Sequence, residues 1–94
     1  MKGHLYKFTL EHLEDPKGNA ITAEPVTFEA RNHDDIFKIL ESMKGKMALS
    51  DSDAREMAIG IKLFGEVMLR NPENELFQQL RPHFMVFMKG LKKS

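Results

Sequence analysis

The stretch Ala58–Leu69 reads AIGIKLFGEVML and is the longest apolar-rich run in the chain. At roughly 100° per residue, Met57, Ile61, Phe64 and Met68 fall on one line, with Ala54 and Val67 close beside it. Arg55, Lys62, Glu66 and Arg70 gather on the far side. The spacing predicts an amphipathic helix with a wide apolar arc, around which the rest of the chain is organised. Ile59 and Leu63 interrupt the polar side, so this helix is either covered on more than one side or offers those two residues to a partner. Gly60 and Gly65 flank the apolar line, and each costs about 1 kcal/mol relative to alanine inside a helix. The expected compensation is close approach of neighbouring elements at both glycines.

Outward toward the N-terminus, Leu49-Ser50-Asp51-Ser52-Asp53 carries a start signal for this helix. Ser50 is placed to cap, Asp53 follows three residues later as in a capping box, and Leu49 can staple against Ala54. The helix is predicted over 51–70 and stops at Asn71-Pro72, because a residue before proline avoids helical dihedrals. A preceding helix is predicted over about 34–45. Asn32 serves as its cap, Asp34 and Asp35 sit in its first turn, and Ile36, Ile39, Leu40, Met43 and Met47 form its stripe. Gly45 supplies the C-terminal stop.

Beyond the central helix, Leu76, Phe77, Leu80, Phe84, Phe87, Met88 and Leu91 keep helical spacing across Pro82. Proline suits a first helical position, so two pieces are predicted, about 73–80 and 82–91. The alternative for residues 84–88, FMVFM, is a buried strand, but its phase with the preceding stripe favours a helix.

At the start of the chain, His4, Tyr6, Phe8, Leu10 and His12 alternate with Lys7, Thr9 and Glu11, as in a half-buried strand over 4–13. Asp15-Pro16-Lys17-Gly18-Asn19 is a turn, with Pro16 presetting φ and Gly18 or Asn19 suited to positive φ. A second strand turns Val26, Phe28 and Ala30 inward, and Pro25 marks its beginning. The hairpin occupies about 4–31 and needs a cover for its apolar face. The predicted fold is therefore α+β: an antiparallel β-hairpin followed by three or four helices packed on one face, with the central helix between hairpin and the others. This strand-strand-helix start is also how ubiquitin-like rolls begin.

Ninety-four residues suit a single domain. Fourteen basic residues balance fourteen acidic ones, which disfavours nucleic acid and membrane surfaces as partners, since no excess positive field attracts phosphates. With no cysteine, disulfides and thiolate zinc sites are excluded. No run approaches the roughly 20 apolar residues of a membrane helix, and the start lacks a signal-peptide block, so a cytoplasmic location is expected. Lys89, Lys92 and Lys93 read as a basic, solvated tail.

Few residues form a chemical constellation. His4 and His12 lie eight residues apart on one strand, roughly 26 Å, too far to share a metal. Asn32-His33-Asp34-Asp35 is the most polar cluster and offers oxygen and nitrogen ligands where strand meets helix. Adjacent residues at a helix start diverge by about 100°, however, and capping accounts for most of the cluster. No nucleophile elbow or P-loop occurs, and Gly60 and Gly65 lack the Lys-Ser/Thr of a Walker motif.

With NHDDIF at 32–37, IGIKLFGEVML at 59–69, LRPHFMVFMK at 80–89 and the opening MKGHLYKFTL in view, the chain resembles a family of short bacterial proteins known only as a domain of unknown function. The resemblance covers nearly the whole chain and implies an independent α+β protein of the bacterial cytosol. It carries over no activity, cofactor or catalytic residue.

The function is therefore open, and enzymatic activity is disfavoured. The leading expectation is a small non-enzymatic interaction or regulatory module without cofactor or metal, which binds a protein partner or a second copy through Ile59, Leu63, Met85 and Val86. The second is a small-ligand or metal-binding protein, or an enzyme, using Asn32, His33, Asp34 and Asp35. The third is weak nucleic-acid binding through the C-terminal lysines.

Overall fold

Seven paired residues on each side build the hairpin in this computed structural model, which describes residues 2–94. Strand β1 (His4–Leu10) runs antiparallel to β2 (Val26–Asn32). The register places Tyr6 opposite Ala30, Phe8 opposite Phe28 and Leu10 opposite Val26, so the alternating residues of the two strands share one face. The Phe8 and Phe28 rings stack with centroids 5.3 Å apart. Pro25 stands just before β2, where a missing N–H costs no ladder bond. Strand β1 is shorter than the predicted 4–13, and His12 lies outside it, its Nε2 2.9 Å from the carbonyl oxygen of Glu14. Val26 and Phe28, expected to point inward, remain largely exposed.

The connection between the strands is itself ordered. Glu14 bridges Ala20, and the Asp15 carbonyl accepts from Gly18 N–H at 3.0 Å, closing a turn with Pro16 at its second position. Gly18 takes φ +87°, the left-handed conformation that the turn requires. The Asp15 carboxylate accepts from the backbone N–H of Lys17 and of Asn19, each at 2.9 Å, and from the Asn19 side-chain amide at 3.0 Å. Chiefly through Asn19, these donors hold the Asp15 carboxyl below its ordinary value of 3.8. A folded-state value below the unfolded one means that folding favours the carboxylate. Its stabilisation is fully present above pH 3.8 and is lost as pH falls through the lower folded value. Asp15→Ala should therefore melt below the parent at pH 6, with the gap closing in acid; equal melting at pH 6 would show that the turn does not depend on this carboxylate.

The chain forms two compact units, one ending at His33 and the other spanning Asp34–Ser94. The second unit holds helix α1 (Ile36–Ser42), a 3₁₀ turn (Lys46–Ala48), helix α2 (Asp51–Arg70) and helix α3 (Glu75–Lys93). The fold is thus α+β, ββααα in element order, with three α-helices and a sheet that stays two-stranded among the described residues.

Helix α2 has the predicted bounds, and Ser50 Oγ accepts from Asp53 N–H at 3.1 Å as its cap. Helix α1 differs from expectation. Pairing of β2 runs on to Asn32, opposite His4, so Asn32 is strand and cannot cap; Asp35 does so, accepting from Phe37 and Lys38 N–H. At its other end the helix stops before Gly45, which takes φ +79°. Met47 and Ala48 then also adopt left-handed backbone, with φ 57° and 55°, which removes Met47 from the helical stripe and leaves it exposed. Such conformations cost on the order of 1–3 kcal/mol per residue. Contacts to the end of α3 accompany them: Met47 N–H donates to Ser94 Oγ at 2.7 Å, and Lys46 Nζ donates to the carbonyls of Lys92 and Ser94.

Helix α3 is one continuous helix across Pro82, not the two predicted pieces, and residues 84–88 are helical within it. Proline leaves the Gln78 carbonyl without its usual helical donor. Both residues are exposed. Phe77 and Phe84, on either side of the proline, both pack edge-on against Phe64 of α2, with centroids 5.8 and 6.1 Å away, and hold the two halves in line. Asn74 caps the helix, and Lys92 and Lys93 form its last turn rather than a loose tail, where the dipole favours cations.

The core of this unit joins Met43, Ala54, Ala58 and Leu91, flanked by Ile39, Leu40, Leu49, Met57, Ile61 and Met88. Of the two glycines, Gly65 lies beside a neighbouring helix and Gly60 does not. A Cβ at Gly60 would meet nothing within 4 Å, and one at Gly65 would meet the Phe84 ring at an ordinary 3.8 Å. The small residues that allow close approach are Ala54 and Ala58, one turn apart on the side of α2 that faces α1.

Candidate functional site

The polar stretch Asn32–Asp35 spans the end of β2 and the start of α1. Asn32 is buried at the end of β2, His33 is exposed, and the Asp35 carboxylate is used as the α1 cap. Asp34 reaches α2 instead, where its Oδ2 accepts from Lys62 Nζ at 2.8 Å. This pair is partly shielded, its side chains 18% exposed on Lys62 and 33% on Asp34. It lies between an exposed ion pair, worth about 0–1 kcal/mol, and a buried one, whose disruption costs about 3–5 kcal/mol. Replacing Asp34 with alanine should cost about 1–2 kcal/mol by that interpolation, and a double-mutant cycle with Lys62→Met should recover most of it as coupling. Zero coupling would free Asp34 for some other role. Among the described residues, no three His, Asp or Glu side chains gather into a group able to hold a metal.

The four residues expected to form an apolar patch fall into two classes. Ile59 and Leu63 on α2 are half-buried. Met85 and Val86 on α3 stand 55% and 71% exposed. They do not form one row, because Met85 and Val86 are consecutive on a helix and diverge by about 100°.

A different set of apolar residues stands open to water. On α3, Leu76, Leu80 and Phe87 follow one another at four- and seven-residue steps, all exposed, with Leu76 at 73%. On α2, Phe64 and Val67 are 41% and 37% exposed. Phe64, late in α2, meets Phe77, early in α3, while Ala54 and Ala58, early in α2, share a core with Leu91, late in α3, so α2 and α3 run antiparallel. With right-handed helices in that orientation and α1 on the Ala58 side, the Val67 side of α2 and the Leu80 side of α3 face the same way.

A family model for a domain of unknown function, DUF3861, matches residues 4–93, which is nearly the whole chain. The chain belongs to the DUF3861 family. It is also similar to a protein of unknown function from Pectobacterium atrosepticum whose crystal structure is known, with 35% identity and a TM-score of 0.83. That similarity covers 98% of this chain and 99% of that one. No curated protein matches it. Neither the DUF3861 family nor this relative assigns an activity, so the function of the fold is unknown.

Within the DUF3861 fold, the exposed row on α2 and α3 escapes a reading by periodicity. Phe64 sits on the most apolar line of α2, and Leu76, Leu80 and Phe87 are in phase with the buried Leu91; nothing in the spacing separates the covered part of a wide arc from its open flank. The available signal was the width itself. An apolar arc that spreads well beyond the stripe facing one neighbour needs a second neighbour. Among the described residues, no helix is long and apolar enough to cross a membrane.

Proposed function

We propose that this chain is a non-enzymatic interaction module of the bacterial cytoplasm, acting as one domain over residues 1–94 and binding protein through its helical face. The observation that supports this is the row of Phe64, Val67, Leu76, Leu80 and Phe87, large apolar side chains left open to water on two adjoining helices. Exposed apolar patches of several hundred Å² on a folded protein commonly mark binding surfaces. The Asn32–Asp35 stretch serves folding on this reading, through strand pairing, an ion pair and a cap. Lys92 and Lys93 stabilise the end of α3.

The test is a photo-crosslinking amino acid placed in turn at Leu80 and at Lys38, the latter an exposed residue of α1. In living cells the Leu80 probe should give a discrete protein adduct and the Lys38 probe none. Equal, diffuse labelling at both positions would remove the reading.

A further inference from the structure

We infer that a second copy of the same chain packs on the open side of α2 that borders this face, with the two α2 helices antiparallel about a two-fold axis. The inference rests on the binding-module reading and names its partner. Its basis is the order of residues along the open side of α2. Asp53, Gly60 and Val67 form one heptad series, and Glu56, Leu63 and Arg70 form a second, interleaved with it. All are exposed except the half-buried Leu63. The row therefore begins acidic, is uncharged through its middle and ends basic.

Reversed, such a row matches itself at its two ends and its centre, with Glu56 set opposite Val67 of the second copy between them. Turning a second copy by 180° about an axis between Ile61 and Lys62 sets Asp53 opposite Arg70 of the second copy at both ends. The same rotation sets Gly60 opposite Leu63. Gly60 has open space where a Cβ would stand, and its own chain gives no reason for a glycine there. A leucine from the opposing helix fits that notch, much as a knob fits a hole. A two-fold contact uses one patch twice and needs this self-complementarity, which an unrelated partner would have to match by chance.

The size is sufficient. From Asp53 to Arg70 the row is about 26 Å long, and with α3 alongside it is about 20 Å wide. That is roughly 500 Å² on each copy and roughly 1,000 Å² in all, the lower bound for a specific interface. The apolar row on α3 supplies the flank.

Sedimentation of the full chain over a wide concentration range should show a reversible shift from 10.8 kDa toward twice that mass. Asp53→Arg should weaken association roughly ten-fold or more, since each dimer then holds two like-charge contacts, and Arg70→Asp should do the same. The double variant restores the opposite charges and should recover the dimer. Both sites are exposed, and circular dichroism will show whether each variant folds. An independent readout is oxidation of an equimolar mixture of Asp53→Cys and Arg70→Cys chains, which should yield a crosslinked dimer while each chain alone yields little.

A dimer indifferent to the charge swap, or crosslinking as readily within one variant as between the two, overturns the geometry. A monomer at every soluble concentration overturns the second-copy assignment. If that monomer still gives a discrete adduct with a different protein through Leu80, the binding-module reading survives; without one, both fall.

Discussion

Replacing Leu91 with alanine should lower the unfolding free energy by about 2–5 kcal/mol, read as a fall in the urea midpoint with little change in slope. Leu91 is the one buried side chain of α3 among the described residues, at 7% exposure. It closes the core against Met43 from the end of α1 and Ala54 and Ala58 from α2, so its truncation opens a cavity where three segments meet. The polar contacts nearby cannot compensate. Lys46 and Met47 hold the end of α3 through exposed hydrogen bonds, each worth about 0.5–1.5 kcal/mol at best. With six apolar residues buried among the described residues, the chain has little surplus against the roughly 5–15 kcal/mol of an ordinary domain. The variant should consequently populate unfolded chains at 37 °C. An unchanged urea midpoint would place the end of α3 outside the cooperative core.

Much of this architecture was legible because the relevant signals are local. The Ser50–Asp53 cap, the stop at Asn71-Pro72, the turn at Asp15–Asn19 and the alternation that sets the hairpin register all act over a few residues. What escaped depends on contacts distant in sequence. The choice of Asp35 over Asn32 as the α1 cap follows from how far β2 pairs with β1, which is settled at His4, nearly thirty residues earlier. Continuity of α3 through Pro82 follows from Phe77 and Phe84 sharing one partner, Phe64, on another helix. The candidate site shares this limit. Period marks an apolar arc but not which part is covered, so Ile59 and Leu63 stood out in the sequence while Leu76, Leu80 and Phe87 did not.

The second large effect separates two accounts of what lies at the centre of α2. Close approach of helices needs small side chains, and α2 offers both glycines and alanines for the purpose. Ala58 is 2% exposed and Ala54 is 3% exposed, both within the core that α1 and α3 share. Gly60 is exposed with no atom near its absent Cβ. Ala58→Leu should therefore force α1 away from α2 and destabilise the unit by about 1–3 kcal/mol or more, because a packed interior has no room for three further carbons. Gly60→Ala should leave the folded chain unstrained and raise stability by up to about 1 kcal/mol through helix propensity and lost unfolded-state freedom. Thermal melts of the two variants at low concentration, where association does not contribute, should move in opposite directions. A loss at Gly60 with tolerance at Ala58 would return the centre of the protein to the glycines and require a different path for α1 across α2.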